Sequence, residues 1–124
     1  MASYQITSPS ALADELVCVI GIGAGSENNI TASSAGRIYV LEADNTKNTN
    51  FGIYINIADA ASATAGTTNP VIRVFVPGAE KTSFVWPHGH AYSSGISVWA
   101  TTDEATSSTS GPTNNVDIKL VVTA

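Results

Sequence analysis

Cysteine, methionine and positive charge are all scarce in this 124-residue chain: one Cys, one Met and five Lys or Arg side chains. A single cysteine, Cys18, cannot close an intrachain disulfide, so packing must hold the fold. Flanked by Val17 and Val19, it reads as a buried structural thiol rather than a nucleophile. The five cations (Arg37, Lys47, Arg73, Lys81 and Lys119) are scattered through a chain of net charge −5. No basic stripe is available to neutralise phosphates, which argues against nucleic acid and against an anionic membrane surface as partners. Long apolar runs are missing too. The longest, Leu16 to Ile20, is far shorter than a membrane-spanning helix. The opening MASYQITSPS lacks a basic segment followed by an apolar one, so no secretory leader is expected and synthesis in a cytosol is.

Charged residues make up only 12% of the chain, about half the usual share. Ser and Thr fill 28 positions instead, so solubility rests on hydroxyls and amides. Such a surface desolvates at modest cost and suits a domain that packs against neighbours. The length predicts one domain over residues 1–124. Phe51, Ile53, Ile55 and Ile57 alternate with Gly52, Tyr54, Asn56 and Ala58, the clearest period-two signal in the chain. Further strands are expected at Leu16–Ile22, Arg37–Glu42, Val71–Val76, Thr82–Trp86, Ile96–Thr101 and Val116–Val122, with a weaker one at Ser3–Thr7. Ser8-Pro9-Ser10 opens a short helical turn, with Leu12 and Leu16 four apart. Turn formers punctuate the rest: Asn69-Pro70, Pro77-Gly78, Pro87-His88-Gly89, Gly95 and Gly111-Pro112. Seven to nine short strands without a long helical pattern predict an all-β, antiparallel β-sandwich of jelly-roll or Ig-like type. Residues 55–76 and 98–122 echo one another, each a strand, a small-residue loop and another strand, which suggests two long-looped hairpins. Neither loop has the apolar residues to fold alone, so each is expected to be mobile or ordered by a partner.

Several segments invite a chemical reading. CVIGIGAGSENNITASSAGRIYVLEAD, residues 18–44, has the outline of a dinucleotide-binding turn, with Gly21 and Gly23 in place and Glu42 at the distance of a ribose-binding acid. The third small position is Ser26, and the stretch that must form the covering helix has only Ile30 as a large apolar residue. A flexible Gly/Ser/Asn loop between two strands is therefore expected, and no cofactor. His88-Gly89-His90 has the spacing of two metal ligands on a strand and resembles the start of the cupin signature. That pattern fails at the expected Glu, here Ser94 or Gly95, and at a third His, so no metal is expected. DNTKNTN at 44–50 has oxygen-bearing residues like a calcium loop, but Thr49 stands where Gly is required and Ile55 where the closing Glu belongs. The acid pairs Asp14-Glu15 and Asp103-Glu104 are sequence neighbours, whereas glycosidase carboxyls face each other across a cleft. No catalytic residue is assigned, and the chain reads as no enzyme. Trp86, Trp99, Tyr92 and Tyr54 are the candidates for a sugar-stacking platform.

The segment 75–122 is similar to small virion proteins of tailed bacteriophages. The shared features are the Val76-Pro77-Gly78 turn, the Pro87–Gly89 turn, Gly95-Ile96-Ser97-Val98, the Thr-rich stretch Ala100–Ser110 and the valine-rich end Val116–Val122. The resemblance covers the last two-fifths of the chain and transfers no functional residue. It implies a structural β-sandwich or jelly roll of the virion, made in the host cytoplasm. It also implies a homo-oligomer whose partner is the major capsid protein or another virion protein. Capsid decoration or cement is the expected role. A glycan- or receptor-binding domain of a tail or fibre is the alternative. Strand edges poor in Lys fit a domain covered by neighbours.

Overall fold

The computed structural model describes residues 15–31 and 34–123; the expected strand at Ser3–Thr7 and the turn opening at Ser8 lie outside them. Leu16 belongs to the first strand rather than to a helical turn. Among the described residues seven strands run in chain order as β1 (Glu15–Ile22), β2 (Gly36–Asp44), β3 (Ile53–Asp59), β4 (Ile72–Val76), β5 (Lys81–Tyr92), β6 (Ile96–Thr101) and β7 (Val116–Thr123). They form two antiparallel sheets, β1-β7-β2-β5 and β4-β3-β6, and the described residues contain no helix. The chain is an all-β sandwich.

Alternation explains the core. Ile53, Ile55 and Ile57 on β3 point inward, as do Ile96, Val98 and Ala100 on β6. The first sheet answers with Ile38, Leu41 and Ala43 from β2 and with Val116, Ile118, Leu120 and Val122 from β7. Seven short strands thus bury one continuous aliphatic layer, with the partly buried Phe84 and Trp86 of β5 packed against it.

The segment after β1 does not form a helix in any described residue. It crosses to the second sheet and lies along the free edge of β6. Gly23 O accepts the Ala100 N–H at 2.8 Å, Glu27 and Val98 exchange two bonds at 2.8 and 2.9 Å, and the Ile30 N–H donates to Ile96 O at 2.9 Å. Counting this strip, the ladders nest in sequence: β3 with β4, β2 with β5, residues 23–30 with β6, and β1 with β7. Two further ladders, β2 with β7 and β3 with β6, arise where that long ribbon rolls on itself.

Three expectations need correction. Pro87-His88-Gly89 does not end its strand. β5 runs on to Tyr92, and Trp86 to Gly89 bulge opposite Tyr39, between the pairs Val40↔Val85 and Ile38↔His90. Gly89 makes this possible: its φ is +74°, and a Cβ there would come within 2.9 Å of Arg37 Cβ. The echo between 55–76 and 98–122 yields one hairpin only. β3 pairs with β4, whereas β6 and β7 lie in different sheets. The loops are also ordered by their own chain: Thr67 and Thr68 donate to Thr64 O, and Ser108 donates to Ala105 O.

Candidate functional site

The dinucleotide-like turn is spent on the fold. Gly21 N–H donates to Asp117 Oδ1 at 3.0 Å, and the Gly23 carbonyl serves β6. Ser26, in the third small position, donates its hydroxyl to Ala63 O at 2.5 Å. Glu42, in the ribose-acid position, pairs with Lys81 at 3.3 Å on an exposed surface. β1 and β2 are separated by β7, so no crevice opens between them for a pyrophosphate. Asn28 Oδ1 accepts the Ala63 N–H, and Ser97 donates its hydroxyl to Ala60 O. Together with Ser26 these bonds hold a roof of residues 60–68 over the outward face of the second sheet. Beneath the roof lies Trp99, only 1% exposed and packed among Ala58, Ala63, Ala60 and Ala65.

The histidines diverge. The bulge destroys the alternation that would turn both imidazoles to one side, leaving His88 exposed and the His90 Nδ1 atom buried without a hydrogen-bond partner. Among the described residues no group of three or more His, Cys, Asp or Glu side chains is placed to hold a metal ion. The calcium-like stretch 44–50 turns its amides inward. Asn45 and Asn48 are buried and bind backbone carbonyls, while Asp44 Oδ1 accepts from the Thr46 N–H and hydroxyl.

Of the four rings that suggested a platform, Trp99 and Tyr92 are buried and Trp86 is half-buried on the core side. Only Tyr54 reaches a cleft. Its neighbours there are residues whose clustering no sequence motif announces: Phe75, Phe51 and the Asp103-Glu104 pair. The tertiary pairing of β3 with β4 sets Phe75 directly across from Tyr54.

Cys18 is exposed, contrary to expectation. Apolar residues on both faces of β1 read as burial on both faces. In fact Val17 and Val19 face the core, while Leu16, Cys18 and Ile20 face out. Leu16 is 65% and Ile20 80% exposed. The outward face of this sheet carries an apolar row across all four strands, Leu16↔Val121↔Val40↔Val85. Beside it lies a shallow trough lined by Cys18, Ile20, Glu42, Asp44, Lys81 and Lys119.

One carboxylate fastens the sheets at the opposite end. Asp59 accepts the N–H groups of Ser93 at 3.0 Å and Ser94 at 2.8 Å, closing the turn between β5 and β6. Burial pushes its pKa up, but the N–H donors of Ser94, Ser93 and Gly95 and the Ser93 hydroxyl outweigh this and hold it below the ordinary value. Asp44 is lowered as well, by the Thr46 hydroxyl and N–H. A depressed carboxyl binds fewer protons folded than unfolded. Its contribution is therefore full above the unfolded pKa of about 3.9 and is lost as pH falls through the lower folded pKa. The thermal midpoint is expected to drop below about pH 4, and Asp59→Asn should flatten that decline. A melt series across acidic pH with no difference between the two proteins would refute the assignment.

No family model, curated protein or solved structure matches the chain.

Proposed function

We propose that this chain is a non-enzymatic virion structural protein, a decoration or cement protein of a tailed-bacteriophage shell. It is made in the host cytoplasm, acts as a homo-oligomer and binds the major capsid protein. Within the sandwich class we assign it to the jelly rolls. The nested ladders support this over an Ig-like arrangement, with residues 23–30 acting as a degenerate eighth strand. The phage setting rests on the pattern of residues 75–122.

The observation that carries the proposal is the outward face of the β1-β7-β2-β5 sheet. Its apolar row ends on β1, an edge strand with no charge from Leu16 to Ile22 and no partner strand on its outer side among the described residues. The opposite edge, β5, is guarded by Lys81, Pro87 and the bulge. Covering the exposed parts of Leu16, Ile20 or Val85 is worth roughly 1–2 kcal/mol each. Bridging two shell subunits with such a face stabilises the shell by mass action.

Quantitative mass spectrometry of purified particles should find the chain in fixed ratio to the shell subunit. Added to particles stripped of it, the wild-type protein should rebind and raise the temperature of shell disruption. Ile20→Ser should keep its fold, because the side chain is already in water, yet bind the shell about tenfold or more weakly. Trace amounts in particles, or undiminished binding of that variant, would remove the proposal.

A further inference from the structure

We infer that the cleft between the β3-β4 face and the loop after β6 binds a neutral carbohydrate, a function independent of the shell-binding face. The cleft is open, about 530 Å³, and lined by Phe51, Tyr54, Phe75, Thr102, Asp103 and Glu104. Its floor is aromatic and its far wall is acid and hydroxyl. That is the division of labour a pyranose requires, with C–H faces to lay on a ring and hydroxyls to donate to fixed acceptors.

Phe75 is the stacking ring. It is 49% exposed, yet its seat is built. The ring lies over Gly52, where a Cβ would fall 2.2 Å from Phe75 Cζ, so any side chain at that position displaces it. Tyr54 leans on it from the neighbouring strand, with ring centroids 5.2 Å apart at an angle of 57°. Tyr54 is itself held by the Arg73 guanidinium, 4.8 Å from its ring centre. Arg73 Nε donates to Asn56 Oδ1 at 2.7 Å, and Nη2 donates to the Asp103 carbonyl at 3.4 Å. One arginine thus braces the aromatic floor and ties the acidic wall to it.

The wall is set as well. Asp103 Oδ1 accepts the Ala105 N–H at 3.1 Å, and Thr101 donates its hydroxyl to the Asp103 carbonyl at 3.3 Å. Carboxylates accept sugar hydroxyls in short, strong hydrogen bonds. They also repel sulfated, phosphorylated or sialylated ligands. With Arg73 already engaged by Asn56, Asp103 and Tyr54, the ligand class is a neutral hexose or N-acetylhexosamine.

The test is saturation-transfer NMR on the whole protein with the methyl glycosides of glucose, galactose, mannose and N-acetylglucosamine. At least one should receive saturation at its ring protons. Phe75→Ala, a change at a half-exposed position, should weaken that binding about tenfold or more in a protein that still unfolds cooperatively and at a melting temperature lowered only modestly by the lost ring packing. The double variant Asp103→Asn/Glu104→Gln should weaken it comparably while leaving Phe75 in place. No transfer to any of the four sugars overturns the inference, and so does full binding by either variant. Ile20→Ser, on the opposite sheet, should bind sugar like the wild type, so failure here and failure of shell binding are read separately.

Discussion

Trp99→Ala is expected to cost about 3–5 kcal/mol, a large fraction of the roughly 5–15 kcal/mol that holds a typical domain folded. The size of the effect follows from where the ring lies. Trp99 is on the outward face of β6, between the core residues Val98 and Ala100, and on most sandwiches such a position is wet. Here the 60–68 loop roofs it. That loop carries little apolar surface of its own: Ala60, Ala63 and Ala65 pack against the cluster, with Ala58 supplied by β3. Without the indole, the bonds from Ser26, Asn28 and Ser97 would have to hold the loop by themselves. Each contributes only about 0.5–1.5 kcal/mol net, against an ordering cost of about 1–2 kcal/mol per residue. Urea denaturation of Trp99→Ala, with limited proteolysis, should show lower stability and faster cutting within 60–68. Trp99→Phe, which keeps part of the volume, should lie between it and the wild type. A stable Trp99→Ala with an intact loop would mean that the roof is held by something other than the ring. Because the side chain is only 1% exposed, neither variant should act on sugar binding except through folding.

The roof also marks the boundary of what the residues disclose by themselves. Strands with a clean period of two, such as Ile53 to Ala58, are read directly because alternate residues must choose between core and outside. β1 defeats that logic. Leu16, Cys18 and Ile20 are as apolar as Val17 and Val19, so the pattern gives two buried faces where the fold buries one. β5 defeats it differently. Pro87 and Gly89 read as terminators, but an edge strand can leave a missing N–H unpaired and absorb a left-handed glycine in a bulge. Residues 23–30 pair with β6 through backbone hydrogen bonds and one from the Asn29 N–H to Ser97 Oγ at 3.3 Å, with a Gly-Ser-Asn sequence that has no alternation to detect. The candidate cleft is less visible again. Tyr54 stands out as a surface aromatic, but Phe75 joins it only through the β3-β4 register, and Asp103 only through the path of a loop. Contacts made by register and loop course depend on the whole topology, which no local window contains.

Asn45→Asp is expected to destabilise the protein by about 3–5 kcal/mol at neutral pH, although it exchanges one amide NH₂ for an oxygen of nearly equal size. Asn45 is fully buried, and its Nδ2 donates to the carbonyls of Phe51 at 3.1 Å, Val76 at 3.4 Å and Pro77 at 3.1 Å. Its Oδ1 accepts from Asn48 Nδ2 at 2.8 Å. Asn48 also donates to Asn114 O and accepts the Asn114 N–H, so two buried amides clasp three chain crossings at one end of the sandwich. An ionised carboxylate at position 45 would face three carbonyl dipoles with nothing to donate. Its folded pKa must therefore rise above the unfolded value of about 3.9. The sign of the pH dependence follows. The penalty is full above the raised folded pKa, shrinks as pH falls through it, and is gone below the unfolded pKa, leaving only the cost of the lost amide bonds. Acidification should therefore narrow the gap between variant and wild type, while Asp59 and Asp44 make the wild type itself less stable. Asn45→Ala separates charge from hydrogen bonding. It removes the same amide donor, at a cost of about 1–3 kcal/mol, but it carries no proton-linked term. Urea unfolding of the three proteins at neutral and at acidic pH reads both effects. A gap between Asn45→Asp and wild type that stays constant across that range would show that the carboxylate reaches water and would overturn the account of a closed, dry clasp.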